Sequence, residues 1–139
     1  MSVRDIRSNL AFTVIATATI AADGDTLSSV FDSADYDLGV MFPLVVTDYT
    51  DGDLQMFIEH SEDNVTFEDI APEMYIGDQS YLSSANTVEG GETFSLGCFA
   101  TKRYLRVRIT ATNVTTGATA TTYAIAKGET LPNTYTLNP

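Results

Sequence analysis

The pattern of apolar side chains predicts an all-β protein of seven or eight strands arranged in two sheets. Two observations carry that expectation. Thr, Val, Ile, Tyr and Phe recur in short runs separated by clusters of Asp, Gly, Asn and Ser, which is how half-buried strands and their turns are written. Within the clearest runs the apolar positions alternate with a period of two, and no window carries convincing helical spacing. With 139 residues and 44% hydrophobic content the chain supports one domain with a real core, and a disordered acidic chain is excluded.

Taken in order, residues 1–10 read as an N-terminal arm, 11–128 as the β-sandwich domain and 129–139 as a C-terminal extension. Strands are predicted at Ala11 to Ala21, Val40 to Thr47, Leu54 to His60, Thr66 to Ile70, Thr93 to Ala100, Tyr104 to Asn113 and Ala118 to Ala126. Turns fall at Ala22 to Asp25, Asp48 to Asp53, Ser61 to Asn64, Glu89 to Gly91 and Val114 to Gly117. Asp23 to Phe42 reads as a connection holding a short edge strand, and Ala71 to Glu92 as a long excursion of the kind that is functional or packs against something. Two strands show the pleat plainly. Leu54, Met56 and Ile58 fall on one face; farther on, Leu105, Val107, Ile109 and Ala111 point one way while Tyr104, Arg106, Arg108 and Thr110 point the other. The Tyr/Arg face is either an ordinary sheet face paired with carboxylates of a neighbouring strand or an interface stripe, since Tyr and Arg are enriched at binding hot spots.

The formal net charge is -12, from 7 basic and 19 acidic residues. That balance argues against a general nucleic-acid binder, which needs clustered Lys and Arg to neutralise phosphates. The charge is also unevenly placed: no Lys or Arg occurs from Ser8 to Thr101, where 17 carboxylates accumulate, while Lys102, Arg103, Arg106, Arg108 and Lys127 follow. Such carboxylates must be solvated, capped by backbone N–H groups, bound to metal, or paired with the C-terminal strands or another chain.

Catalytic chemistry finds little support. The one cysteine, Cys98, lies in an apolar run and reads as a buried side chain. His60, the one histidine, reads as a strand-end residue bonded to a backbone group, and no cation or glycine elbow activates Cys98. Paired acids for glycoside hydrolysis call for an aromatic cleft, and the chain has no Trp. Asp23-Gly-Asp25 and Asp48 to Asp53 place oxygen ligands on turns as calcium requires, yet neither matches an EF-hand loop and both read as turn chemistry. Asn64-Val-Thr66 and Asn113-Val-Thr115 fit the glycosylation sequon but read as turn residues. Arg4 and Arg7 precede an Ala-rich stretch, although Asp5 and three threonines argue against a secretory signal. No run approaches the roughly 18 apolar residues of a membrane span. The expectation is therefore a protein that is not an enzyme and uses no cofactor and no metal.

The order of segments, from the Ala/Thr-rich Phe12 to Ile20, through "IEHSEDNVTFEDI" (Ile58 to Ile70) and "RYLRVRI" (Arg103 to Ile109), to the closing Ala/Thr strand at Ala118 to Ala126, resembles the jelly-roll capsid cement, or decoration, proteins of tailed double-stranded DNA bacteriophages. The resemblance implies a jelly-roll-like antiparallel β-sandwich with an N-terminal arm, and no catalytic site. It also implies a virion structural protein, made in the host cytoplasm, that sits on the outer capsid surface as a homodimer or homotrimer and bridges major capsid proteins. No family motif assigns contact residues. The residues themselves point to Arg4, Arg7 and Leu10 of the arm and to Tyr104, Arg106 and Arg108 as contact surfaces. The competing expectation is a carbohydrate-binding β-sandwich module of a phage tail or adhesion protein, with Tyr36, Tyr49, Tyr75 or Tyr81 exposed in a groove.

Overall fold

The computed structural model describes residues 10–36, 39–77 and 93–127. In chain order the strands are β1 (Leu10–Ile20), β2 (Gly24–Leu27), β3 (Phe31–Asp32), β4 (Val40–Thr47), β5 (Asp53–Ser61), β6 (Glu68–Asp69), β7 (Tyr75–Ile76), β8 (Thr93–Cys98), β9 (Tyr104–Thr112) and β10 (Ala118–Lys127). A 3-10 turn, Pro72–Met74, leads into β7.

Two antiparallel sheets result, a first with strand order β1-β10-β4-β8-β7 and a second with order β2-β9-β5-β6, where β3 also pairs with β9. The pairs nest: β1 with β10, β2 and β3 with β9, β4 with β8, and β5 with β6. This is one long antiparallel ribbon whose two arms are rolled so that alternate pairs fall in opposite sheets, and the roll is closed by β10 against β4 and β9 against β5. That pairing scheme is the jelly roll.

The core lies between the sheets. Phe42, Leu44, Val46 and Leu96 face inward from the first sheet, and Leu54, Met56, Ile58, Leu105, Val107 and Ile109 from the second. β10 presents Ala118, Ala120, Ala124 and Ala126 on its inner side, so the larger side chains opposite have room to interdigitate. The alternation predicted for β5 and β9 is fully expressed, since Met56, Ile58, Leu105 and Val107 are wholly buried.

Several boundaries differ from expectation for local reasons. The strand predicted at Thr66 to Ile70 shortens to β6, because Asp63 Oδ1 accepts the N–H groups of both Val65 and Thr66 and holds that stretch in the turn. The Asp23 to Phe42 connection holds β2 and β3, which run along one edge of β9 and are interrupted from Ser28 to Val30. There the Ser28 N–H donates to Val107 O while the Ser29 N–H donates to Ile15 O, so this short break touches both sheets. β1 changes register between Val14 and Ala16, a bulge that adds twist to an otherwise long edge strand.

Pro43 sits inside β4, a central strand, where a missing N–H interrupts the ladder toward β10. The buried Thr122 hydroxyl donates to the Pro43 carbonyl at 2.9 Å and holds the two strands together across the gap. Both sequon asparagines, Asn64 and Asn113, occupy turns with φ of 61° and 57°, a conformation asparagine tolerates better than most residues.

Candidate interaction surfaces

The outer face of the second sheet is where the acidic body meets its cations. Arg106 and Arg108 project two residues apart from β9, opposite Glu59 and Phe57 of β5. The Glu59 carboxylate is buried, and each of its oxygens accepts one guanidinium: Arg106 Nε at 2.6 Å and Arg108 at 2.5 Å. Arg108 also donates to Asp69 of β6. Each guanidinium covers an aromatic ring, Arg106 over Phe67 at 3.9 Å and Arg108 over Phe57 at 4.6 Å from the centroid. The strands fix the spacing, and the rings remove water from the charged groups, so both attractions gain strength.

The neighbouring cations are committed in the same way. Arg103 grips Asp32 of β3 through two nitrogens, at 2.9 and 2.7 Å, and this contact holds the Asp32 carboxyl below its usual range and raises the arginine's own affinity for its proton. Lys102 donates to Glu68 of β6, lowering that carboxyl and raising the lysine. The alternative left open by the sequence is thus answered for these four residues: their charges are met within the chain. An interface on this face would use the rim of the cluster and the half-buried Tyr104 rather than free guanidinium groups.

The turns dispose of further carboxylates by capping backbone. Asp51 accepts the N–H groups of Thr115, Thr116 and Gly117, which hold its carboxyl below the usual range. Asp23 accepts Val114 N–H, and Asp53 accepts the Asn113 amide. Both acidic segments that suggested calcium therefore converge on the loop between β9 and β10 as hydrogen-bond acceptors. Among the described residues no three His, Cys, Asp or Glu side chains gather as a metal-holding group.

The outer face of the first sheet has the opposite character. One row crosses all five strands, Phe12, Ile125, Met41, Gly97 and Ile76 in register, and Val14 pairs with Tyr123 in the next. Beyond them come the pairs Thr17 with Thr121 and Thr19 with Thr119. Phe12 and Val14 are 65% and 53% exposed, and the Phe12 ring stacks on Tyr123 at 5.3 Å. Lys127, at the rim, lines a cavity of about 290 Å³ together with Gly39, Met41, Ile76 and Ile125. Between that rim and the Thr19 row the described outward positions carry no charged side chain.

Of the residues singled out in the sequence, Arg4 and Arg7 lie outside the described residues, and Leu10 opens β1 opposite Lys127. His60 is not bonded to backbone as expected. It is buried beside Leu105's strand end, with Nε2 3.4 Å from Glu68 and with Nδ1 buried and without a partner among the described residues. Burial, then the nearby Lys102, lowers its pKa and favours the neutral ring. A neutral ring that donates through Nε2 leaves only a bare acceptor at Nδ1, the cheaper group to orphan. Cys98 is buried, as its apolar surroundings imply, and burial pushes its thiol up to about 12, which suppresses the nucleophilic thiolate.

Of the aromatics expected in a glycan groove, Tyr75 is placed otherwise. Tyr75 is in the core, where its hydroxyl accepts Ile58 N–H from the opposite sheet. Tyr36 packs on Phe31, Tyr49 donates to Gly52 O, and both are half-buried against the core; Tyr81 lies outside the described residues. Sequence reasoning passed over Phe12, Val14, Met41 and Ile125, which were legible only as strand residues, because each strand's partners decide which outward positions become contiguous. Compared with protein-family models, curated proteins and solved structures, the chain matches none.

Proposed function

We propose that this chain is a capsid cement protein that binds the outer surface of a tailed-phage head, as a homodimer or homotrimer, and strengthens contacts between major capsid proteins. One observation carries the reading: the two outer faces of the jelly roll differ in chemistry, one uncharged at its described positions between the Lys127 rim and the Thr19 row, the other a stitched network of acids, arginines and aromatic rings. A protein that bridges subunits while associating with itself needs two unlike faces, and multivalent attachment lets individually weak contacts sum. In this reading the arm, through Arg4, Arg7 and Leu10, and the Tyr104/Arg106/Arg108 rim meet the shell. The acidic turns face solvent or basic patches. The segments that carry the resemblance, Ile58 to Ile70 and Arg103 to Ile109, are those joined by the Glu59, Arg106, Arg108 and Asp69 cluster. Neither the buried thiol nor the enclosed His60 is poised for covalent chemistry, which favours a binding role over an enzymatic one.

Co-sedimentation with expanded phage heads that lack their decoration protein tests this directly. Saturable binding at physiological salt is expected. No binding to heads, with retention on a glycan array, would overturn it in favour of the carbohydrate-binding module.

A further inference from the structure

The electrostatics of a chain with net charge -12 restrict where two copies can touch. Most of its surface would bring carboxylates together, at a cost that rises as water is excluded. The outer face of the first sheet avoids that cost. Its described outward positions hold no carboxylate between the Lys127 rim and the Thr19 row, and the row nearest the rim, Phe12, Ile125, Met41, Gly97 and Ile76, is apolar from edge to edge. We infer that a second copy of this chain packs against this face, the apolar rows around Phe12, Val14, Tyr123 and Ile125 of each copy covering those of the other.

Three features favour a second copy as the occupant. A face without charge is electrostatically complementary to itself, whereas a basic partner would gain nothing there and would be drawn to the acidic remainder of the molecule. The size also fits. Four or five strands about 4.8 Å apart, crossed by four outward rows spaced about 6.7 Å, give roughly 500–600 Å² in projection. Side-chain relief carries that to the roughly 600 Å² per partner at the lower end of stable interfaces. Finally, the surface has relief suited to interdigitation. Phe12 and Val14 stand out at 65% and 53% exposure, while the position between Met41 and Ile76 is Gly97, where a Cβ would lie 3.3 Å from Met41 Sδ. The cavity of about 290 Å³ beside Met41, Ile76 and Ile125 offers a recess for a projecting ring. Two flat sheets stacked face to face lie about 10 Å apart, with such side chains between them.

The inference names the surface of self-association assumed in the cement reading and rests on that reading only for its biological use. Its test uses the purified chain alone, so a monomer overturns this inference and leaves head binding untouched. A dimer that fails to bind heads does the reverse.

In sedimentation velocity at tens of micromolar, the chain is expected at twice its 15.0 kDa mass. Raising NaCl from 50 to 500 mM should tighten the dimer, because salt screens repulsion between two acidic copies. Val14→Asp should weaken it by at least about 10-fold, since a carboxylate would be buried in each copy. Leu27→Asp, on the exposed edge strand of the other sheet, should leave it unchanged. Hydroxyl-radical footprinting of the wild-type chain across a dilution series does not depend on any variant folding. Phe12, Met41 and Tyr123 should lose protection on dilution, while Val65 and Phe99, exposed elsewhere, should not change. A monomeric chain, a dimer that loosens with salt, a dimer indifferent to Val14→Asp, or constant protection at Phe12 and Tyr123 would each overturn the inference. So would a monomer whose Phe12 and Tyr123 become protected only on phage heads, which would make the shell the occupant.

Discussion

Glu59 on β5 and Arg106 on β9 stand directly opposite each other, and the guanidinium Nε meets the carboxylate at 2.6 Å. The carboxylate side chain is 8% exposed, against 23% for Arg106 and 20% for Arg108, which takes the other oxygen. Removing the acid leaves two cations against each other in a partly dry site, whereas removing one arginine leaves the acid with a partner. Glu59→Ala is therefore expected to cost about 2–3 kcal/mol, below the roughly 3–5 of a fully buried pair because water reaches the arginines. Urea unfolding at neutral pH measures it. Arg106→Met should cost less, and the Glu59→Gln/Arg106→Met double variant less than the sum of its singles, a coupling of order 1 kcal/mol.

Tyr75 links the sheets by accepting Ile58 N–H at 3.0 Å inside the core. Burial pushes the phenol up to about 12, so it stays neutral through the physiological range. Tyr75→Phe keeps the ring but leaves a buried backbone donor short of an acceptor, at a cost of about 1–3 kcal/mol. The variant should lose stability in denaturant melts with little change in m-value, since the surface exposed on unfolding is nearly the same. A neutral result would mean that Ile58 N–H finds another acceptor.

How much of this was legible beforehand depends on whether a feature is local. The alternation of Leu54, Met56 and Ile58 and of Leu105, Val107 and Ile109 reports a pleat with one buried face, and the sequence carries that on its own. The charge asymmetry also stated the problem correctly: acids with no local cations must find amides or the C-terminal strands. Which acid finds which cation was hidden, because Glu59 and Arg106 are 47 residues apart and meet only once register is set. The uncharged face was hidden for the same reason, since Phe12, Ile125, Met41 and Ile76 come from four separate segments. Tyr75 was misplaced as a possible groove aromatic because Tyr in a loop-like stretch gives no sign that its hydroxyl has a partner across the core.

Gly117 closes the loop into β10 at φ +95°, and a Cβ there would stand 1.6 Å from the Ile20 carbonyl oxygen. Gly24 has φ +137° but open space around it. Both positions are strained for an L side chain, and one also meets backbone that cannot step aside. Gly24→Ala should cost about 1–3 kcal/mol and stay folded. Gly117→Ala should cost markedly more, parting β10 from the end of β1, and appear as loss of soluble folded protein or a much lower Tm. Equal effects at the two sites would remove the steric part of the argument.

His60 sets a pH dependence with a definite sign. Desolvation is the largest influence on it, Lys102 adds to the effect, and Glu68 and Glu62 oppose it; the balance leaves the folded-state pKa below the ordinary 6.5. The unfolded chain, whose histidine is solvated, therefore binds the proton first as pH falls. Stability from the neutral ring is complete above about pH 7 and declines as pH falls through 6.5 toward the folded-state value. Ordinary carboxylates titrate below this range, near 4, so the window between about pH 7.5 and 5.5 isolates the histidine among the side chains. Urea midpoints in that window should fall with acidity for the wild-type chain and stay nearly level for His60→Gln, whatever the variant's absolute stability. A wild-type midpoint that rises on acidification would mean that Glu68 outweighs burial and Lys102, and that the ring is charged in the fold.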